Sequence, residues 1–186
     1  MHPLDWQLLR STYLIQDRWL RLRADTCQLP DKRIIEPYYI MEYPAWVAVV
    51  ALTREQHVVL VRQYRHGVQQ TVLELPAGAV DASDASPLHT MQRELLEETG
   101  YASDTMLETG RVSANPATHT NLTYCYLATG ARQVAEPRLD PTEHLETVLL
   151  PLPEVVRLAS RGGLIQALHV SAVFFALHTL GRLGQP

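Results

Sequence analysis

The chain has 186 residues and a mass of 21.0 kDa, with 46% apolar and 19% charged residues, which suits one domain with or without a small appendage. Its 20 acidic side chains outnumber 16 basic ones for a formal net charge of -4, a balance that excludes a nucleic-acid coat and a polybasic membrane anchor. Cys27 and Cys125 form no CxxC pair and read as reduced thiols. No secretory leader is visible, and the most apolar stretch, 164–180, is interrupted by Gln166, His169 and His178. The expectation is a soluble, cytoplasmic protein without nucleic-acid or membrane partners.

Residues 13–23 and 36–43 read as strands joined through the turn-rich Leu29-Pro30-Asp31-Lys32-Arg33. This gives an N-terminal β-hairpin segment over 1–43, which is marginal alone and must pack on the main domain or on a second copy of the chain. The main domain then covers 44–186. Residues 45–52 and 57–61 read as two buried strands, and 71–75 as another that ends at Pro76-Ala77-Gly78. After the loop 81–86 comes a clear helix start, with Ser86 as N-cap, Pro87 in the first helical position and Gly100 placed to end the helix. Residues 122–128 and 147–150 are further strands. Segments 153–160 and 165–180 are predicted helices, the second largely buried. Strands interleaved with helices indicate an α/β fold, a mixed sheet with helices on its faces.

The chemically informative stretch is Arg93-Glu94-Leu95-Leu96-Glu97-Glu98-Thr99-Gly100-Tyr101. On a helix, Leu88, Met91 and Leu95 share one apolar side, while Glu94, Glu97 and Glu98 fall within an arc of roughly 100°. Like charges so spaced oppose helix formation by a few tenths of a kcal/mol per pair, a penalty that a cation among them removes. Clustered carboxylate oxygens suit hard ions such as Mg2+ or Mn2+. Taken alone, the same pattern also describes a solvated helix face with Arg93 in surface pairs. The preceding strand end, Glu74-Leu75-Pro76-Ala77-Gly78, changes that balance, because a glycine-containing strand end facing an acidic helix can offer a backbone carbonyl as a further ligand.

These residues resemble the box of the Nudix hydrolase family, GX5EX7REUXEEXGU, where U is aliphatic or large and apolar. Gly78 supplies its start and Arg93 to Tyr101 its end. The interval from Gly78 to Arg93 is one residue longer than the pattern, and its first glutamate is absent. Counting from Gly78 reaches Asp84, counting back from Arg93 reaches Ala85, and Asp84 is the candidate substitute through a one-residue bulge. Gln63-Tyr64-Arg65, Leu73-Glu74-Leu75-Pro76-Ala77-Gly78, and Pro116, fifteen residues beyond Tyr101, look like the ADP-ribose pyrophosphatase group.

The resemblance implies a Nudix-type α/β/α sandwich and Mg2+, with Mn2+ as an alternative. It implies that the Ala77 carbonyl with Glu94, Glu97 and Glu98 holds metal, and that Arg65 and Glu74 are substrate-binding, Arg65 on the diphosphate. A glutamate of the loop 140–146 would serve as general base, Glu143 first with Glu146 assisting. The N-terminal segment would form a homodimer and line an adenine pocket, which gives Trp19 and Trp46 substrate-facing roles. The implied activity is Mg2+-dependent hydrolysis of the diphosphate bond of ADP-ribose or a related nucleoside diphosphate sugar, yielding AMP and ribose 5-phosphate from ADP-ribose. A GDP-mannose type of nucleotide sugar, a dinucleoside polyphosphate and an inactive Nudix-like ligand-binding module stay open at this point.

Overall fold

A computed structural model of the chain describes residues 2–18 and 20–184. They divide into two units, Met1–Pro44 with Ser113–Asn121, and Ala45–Val112 with Leu122–Pro186. In the first unit β1 (Gln7–Gln16), β2 (Arg21–Gln28) and β3 (Ile34–Glu42) form an antiparallel sheet in that order. The segment therefore has three strands rather than the two of a hairpin. The expected strand over 13–23 runs across the β1–β2 turn. Every residue of β1 is exposed, so no in-out alternation marks where the strand begins and ends. The connection at 29–33 is a turn as expected, closed by Leu29 N–H to Arg33 O at 2.9 Å, with Lys32 at φ 72°. Segment 113–121 joins this unit through Met41 N–H to Thr118 O at 2.8 Å and Tyr38 Oη to Ala117 O at 2.7 Å.

The second unit is built on a sheet whose eight strands, among the described residues, are mixed in direction. They are β4 (Trp46–Thr53), β5 (His57–Arg65), β6 (Gln70–Glu74), β7 (Ala77–Ala79), β8 (Tyr101–Ala102), β9 (Thr105–Val112), β10 (Thr123–Gln133) and β11 (Leu145–Pro151). The central order is β11-β5-β4-β10-β8, with β6 on β5, β7 on β4 and β9 on β10. Only the β4–β10 pairing is parallel. All of β4 after Trp46 is buried, as expected of a central strand covered on both faces.

Alternation along β4 sends Val47, Val49 and Ala51 to one core and Val50 and Leu52 to the other. The first core holds Met91 and Leu95 of α1 (Pro87–Thr99). The second packs against α2 (Leu152–Ser160) and α3 (Ala167–Thr179) through Leu152, Val155, Ala172, Val173 and Ala176. This is the α/β/α sandwich. Helix α3 is buried along one stripe rather than largely, since Phe174 is 53% exposed. Strand β9 was not expected, because its TMLETGRV sequence is mostly polar. It is held close to α3 at Gly110, where a Cβ would lie 2.8 Å from the Phe175 ring.

Helix α1 begins and ends where its residues dictate. The Ser86 hydroxyl accepts from His89 N–H at 3.2 Å, and Pro87 follows in the first turn. Gly100 adopts φ 72° and donates its N–H to Leu96 O at 2.8 Å; a Cβ there would meet Ala135 O at 2.0 Å. Leu88, expected on the apolar side, is exposed, and the buried stripe runs instead through Met91, Leu95 and Glu98. No helix is long and apolar enough to cross a membrane among the described residues.

Because Leu95 sits in the core that fastens α1 to the sheet, Leu95→Ala should lower unfolding free energy by about 2–5 kcal/mol. Urea titration followed by circular dichroism checks this, and a midpoint equal to that of the unmodified chain would contradict the packing described.

Candidate active site

Met91, Leu95 and Glu98 lie at i, i+4 and i+7, so Glu98 projects from the same helical side as two core residues, within roughly 20° of Met91. It is 4% exposed. Its Oε2 accepts the Ala77 backbone N–H at 3.1 Å. Ala77 belongs to β7, where it stands opposite Ala48; the bonds Val49 N–H to Pro76 O at 3.1 Å and Val80 N–H to Ala45 O at 2.8 Å make that a non-hydrogen-bonded pair between the bonded rungs at Pro76 and Gly78. The intervening Ala77 therefore turns both its N–H and its carbonyl away from β4, toward α1. A backbone carbonyl and a buried carboxylate share one edge.

Glu94 closes the other side of that edge. A Cβ on Gly78 would fall 2.3 Å from the Glu94 Cδ and 2.4 Å from its Oε1, so the missing side chain is what lets the carboxyl lie against the strand. Burial pushes the Glu94 carboxyl up to about 7; Arg93 opposes this, and the charges of Glu97 and Glu143 add to it. Burial pushes Glu98 up further, to about 8, with Glu94 and Glu143 adding to the rise and the Ala77 N–H and Arg65 working against it. Two carboxyls raised chiefly by burial, with Glu94 adding to the rise of Glu98, form a place where added positive charge is favoured.

Glu97 is turned differently. It is half-exposed, and its Oε2 accepts from Arg93 Nη1 at 2.8 Å. Among the described residues, accordingly, no three His, Cys, Asp or Glu side chains stand together as a finished metal cage. Arg93 is the hub of this side, reaching Glu97, Glu94 at 3.0 Å and Asp84 at 3.0 Å. Asp84, left open by the sequence, has a side chain only 5% exposed. It receives Arg93 together with Thr90 Oγ1 at 2.9 Å, and the Arg93 contact is the chief cause that holds its carboxyl far below the usual range. Asp84 is thus spatially the acid that meets the box arginine. A turn closed by Asp84 N–H to Asp81 O at 3.0 Å lies ahead of Ser86.

Arg65 ends β5, opposite Gln70 at the start of β6, and its side chain reaches back to Glu74 at the end of that strand. Its guanidinium binds the buried Glu74 carboxylate through Nε at 2.8 Å and Nη2 at 2.7 Å, and Gln63 Nε2 donates to the same oxygen at 2.9 Å. Glu74 is therefore the anchor of Arg65, and the two border a cleft of ≈ 370 Å3 with His66, Val68, Ile165 and Gln166. A larger cleft of ≈ 570 Å3 lies at the far end of β4 and β5, by Arg54, His57, Tyr101 and Leu149, and contains none of the carboxylates just described.

Of the loop acids, Glu143 accepts from Asp140 N–H at 3.1 Å, and its charge reaches both Glu94 and Glu98. Glu146 pairs with Arg62 across the β5–β11 register. Trp46 is half-buried at the start of β4, and alternation puts it on the sheet face opposite α1. Trp19 lies outside the described residues. Pro116 belongs to the 113–121 segment of the first unit. The sequence reading passed over the burial of Glu98, although its i+7 spacing from Met91 was a usable signal. The contacts of Asp84 and Glu74 join residues 9 apart in sequence and had no such signal.

Comparison with known proteins gives the family. Residues 42–168 match the NUDIX domain model, and residues 6–41 match the nucleoside diphosphate sugar hydrolase N-terminal domain. The chain is 29% identical over 177 residues to the ADP-ribose pyrophosphatase of Mycobacterium tuberculosis, covering 95% of this chain and 84% of that one. It is 29% identical over 150 residues to the methanol dehydrogenase activator of Bacillus methanolicus, covering 80% of each. A crystal structure described as an ADP compounds hydrolase superposes with a TM-score of 0.82 at 21% identity, over 96% of this chain and 97% of that one, which establishes the shared fold. The acidic helix, the strand end it faces and the family match over most of the chain lead to one conclusion: this protein belongs to the Nudix hydrolase family.

Proposed function

We propose that this protein hydrolyses the diphosphate bond of ADP-ribose or a closely related nucleoside diphosphate sugar, releasing AMP and ribose 5-phosphate from ADP-ribose. The observation that carries the substrate class is the match of residues 6–41 to the N-terminal domain of nucleoside diphosphate sugar hydrolases, joined to a Nudix domain. ADP-ribose is the first choice within that class because two of the relatives, from Mycobacterium tuberculosis and Bacillus subtilis, carry the name ADP-ribose pyrophosphatase.

The family generally works with a divalent cation, and the donors here fit Mg2+ or Mn2+: they are all oxygens, and two are carboxylates already withdrawn from water. Glu94, Glu98 and the Ala77 carbonyl are the residues that would hold it, with Glu97 joining by exchanging Arg93 for the ion. When bound, such an ion neutralises diphosphate oxygens and lowers the pKa of a water. Arg65, braced by Glu74, presents its free guanidinium edge to the diphosphate. Glu143 is assigned as the base that takes the proton from the attacking water, since its charge reaches Glu94 and Glu98 whereas Glu146 is engaged by Arg62. Arg93, clamped by Asp84, orients Glu94 and Glu97 without touching substrate.

We also assign the protein to the cytoplasm, where its two buried, unpaired thiols would stay reduced. A homodimer is proposed on the first unit, because β1 exposes Leu8, Leu9, Tyr13, Leu14 and Ile15 together.

Incubation with Mg2+ and a panel of ADP-ribose, nucleotide sugars and dinucleoside polyphosphates, with phosphatase-released phosphate as readout, tests the activity. ADP-ribose should be the best substrate and chelation should stop turnover; silence on ADP-ribose with turnover of another panel member would replace the substrate. Glu98→Gln should reduce turnover about 100-fold or more while leaving the circular dichroism unchanged. Gly78→Ala should displace Glu94, leaving the melting temperature nearly unaltered but raising the Mg2+ concentration needed for half-maximal rate by about 10-fold. Light scattering should report twice the 21.0 kDa of one chain, and a single-chain mass would rule the dimer out.

A further inference from the structure

One buried ionisable side chain has no part in the chemistry above. His169 lies in the first turn of α3 and is 3% exposed. Its Nδ1 accepts the backbone N–H of Leu75 at 3.3 Å. Leu75 and Pro76 lie between two strands: β6 ends at Glu74 and β7 begins at Ala77. The Leu75 N–H has therefore left the ladder with β5, whose last rung is Val61 with Glu74. Next to it, Pro76 has no N–H, and its carbonyl accepts from Val49. Within this buried connection, His169 is the side chain that satisfies the Leu75 donor.

The four residues 74–77 carry both halves of the site. Glu74 holds Arg65, and Ala77 donates to Glu98 while its carbonyl faces the same edge. We infer that His169 is a positioning residue of the hydrolase, a neutral imidazole whose Nδ1 fixes the 74–77 connection and thereby sets the Arg65 anchor and the Ala77 peptide together. This rests on the reading that Ala77 and Glu98 belong to a cation site.

The acceptor role requires the tautomer with its proton on Nε2, which follows from the Leu75 bond. Burial foremost, and the nearby Arg65 charge, push the imidazole down to about 3, so the acceptor persists across the physiological range. A protonated ring would have no lone pair to offer Leu75.

The test is Mn2+ binding, read by electron paramagnetic resonance, on the intact chain and on His169→Leu, His169→Asn and Val173→Ala. His169→Leu deletes the acceptor and should weaken Mn2+ binding by about 10-fold or more. His169→Asn, whose Oδ1 can take the place of Nδ1, should keep an affinity close to that of the unmodified chain. Val173→Ala, a cavity in the same helix, should lower the melting temperature without moving Mn2+ affinity. Unchanged Mn2+ affinity in His169→Leu overturns the inference, as does equal weakening by Val173→Ala. If His169→Leu fails to fold, the ring 15N shifts of the unmodified protein decide: an unprotonated Nδ1 and a protonated Nε2 are required, and the opposite tautomer overturns it. An unmodified chain that binds no Mn2+ defeats both the cation site and this role. One that binds Mn2+ but leaves ADP-ribose intact defeats only the substrate assignment.

Discussion

The site depends on one carboxylate in an unfavourable place. Glu98 sits on the apolar stripe of α1, facing the sheet, with one backbone N–H for company and the charge of Glu94 one helical turn away. Removing a carboxylate from water is among the most costly moves a fold can make, and a like-charged neighbour makes it worse. Burial accordingly raises both carboxyls well above the ordinary carboxylate range. A divalent cation between them would invert the interaction, turning mutual repulsion into shared attraction.

Two arginines brace that arrangement from different sides. Arg93 gathers Asp84, Glu94 and Glu97, and so fixes the outer carboxylates relative to the helix start. Arg65 is itself fixed, by Glu74 and through it by Gln63, at the end of the neighbouring strand. Both rely on acids buried almost completely, where ion pairs are less screened by solvent than exposed ones. Between them runs the 74–77 connection, tied to α3 through His169. Elements from both helical layers of the sandwich therefore converge on four residues of backbone.

Much of this was legible in the residues, and what was not has physical reasons. Strand β4 announced itself because a strand buried on both faces is continuously apolar, and α1 because Ser86, Pro87 and Gly100 mark its ends. Strand β1 was blurred because it buries neither face, and β9 because its composition is polar and its closeness to α3 depends on a glycine. The box carboxylates were recognised as a group, yet their division of labour was not: Glu98 is buried, Glu94 lies against Gly78, and Glu97 leans to Arg93. The ordering of Glu143 before Glu146 came from the resemblance, whereas the strand register alone commits Glu146 to Arg62.

The sequence by itself determined the family, the acidic helix and the strand end opposite it, because these are written in local spacing: i, i+3 and i+4 along a helix, and a proline and glycine at a strand end. Tertiary structure alone decided which acid meets Arg93, what holds Arg65, and that a histidine ninety-four residues away closes the Leu75 donor. Such pairings are made by one or two hydrogen bonds between separate elements. They leave no periodic trace in the chain and exist only once the sheet has brought the segments together.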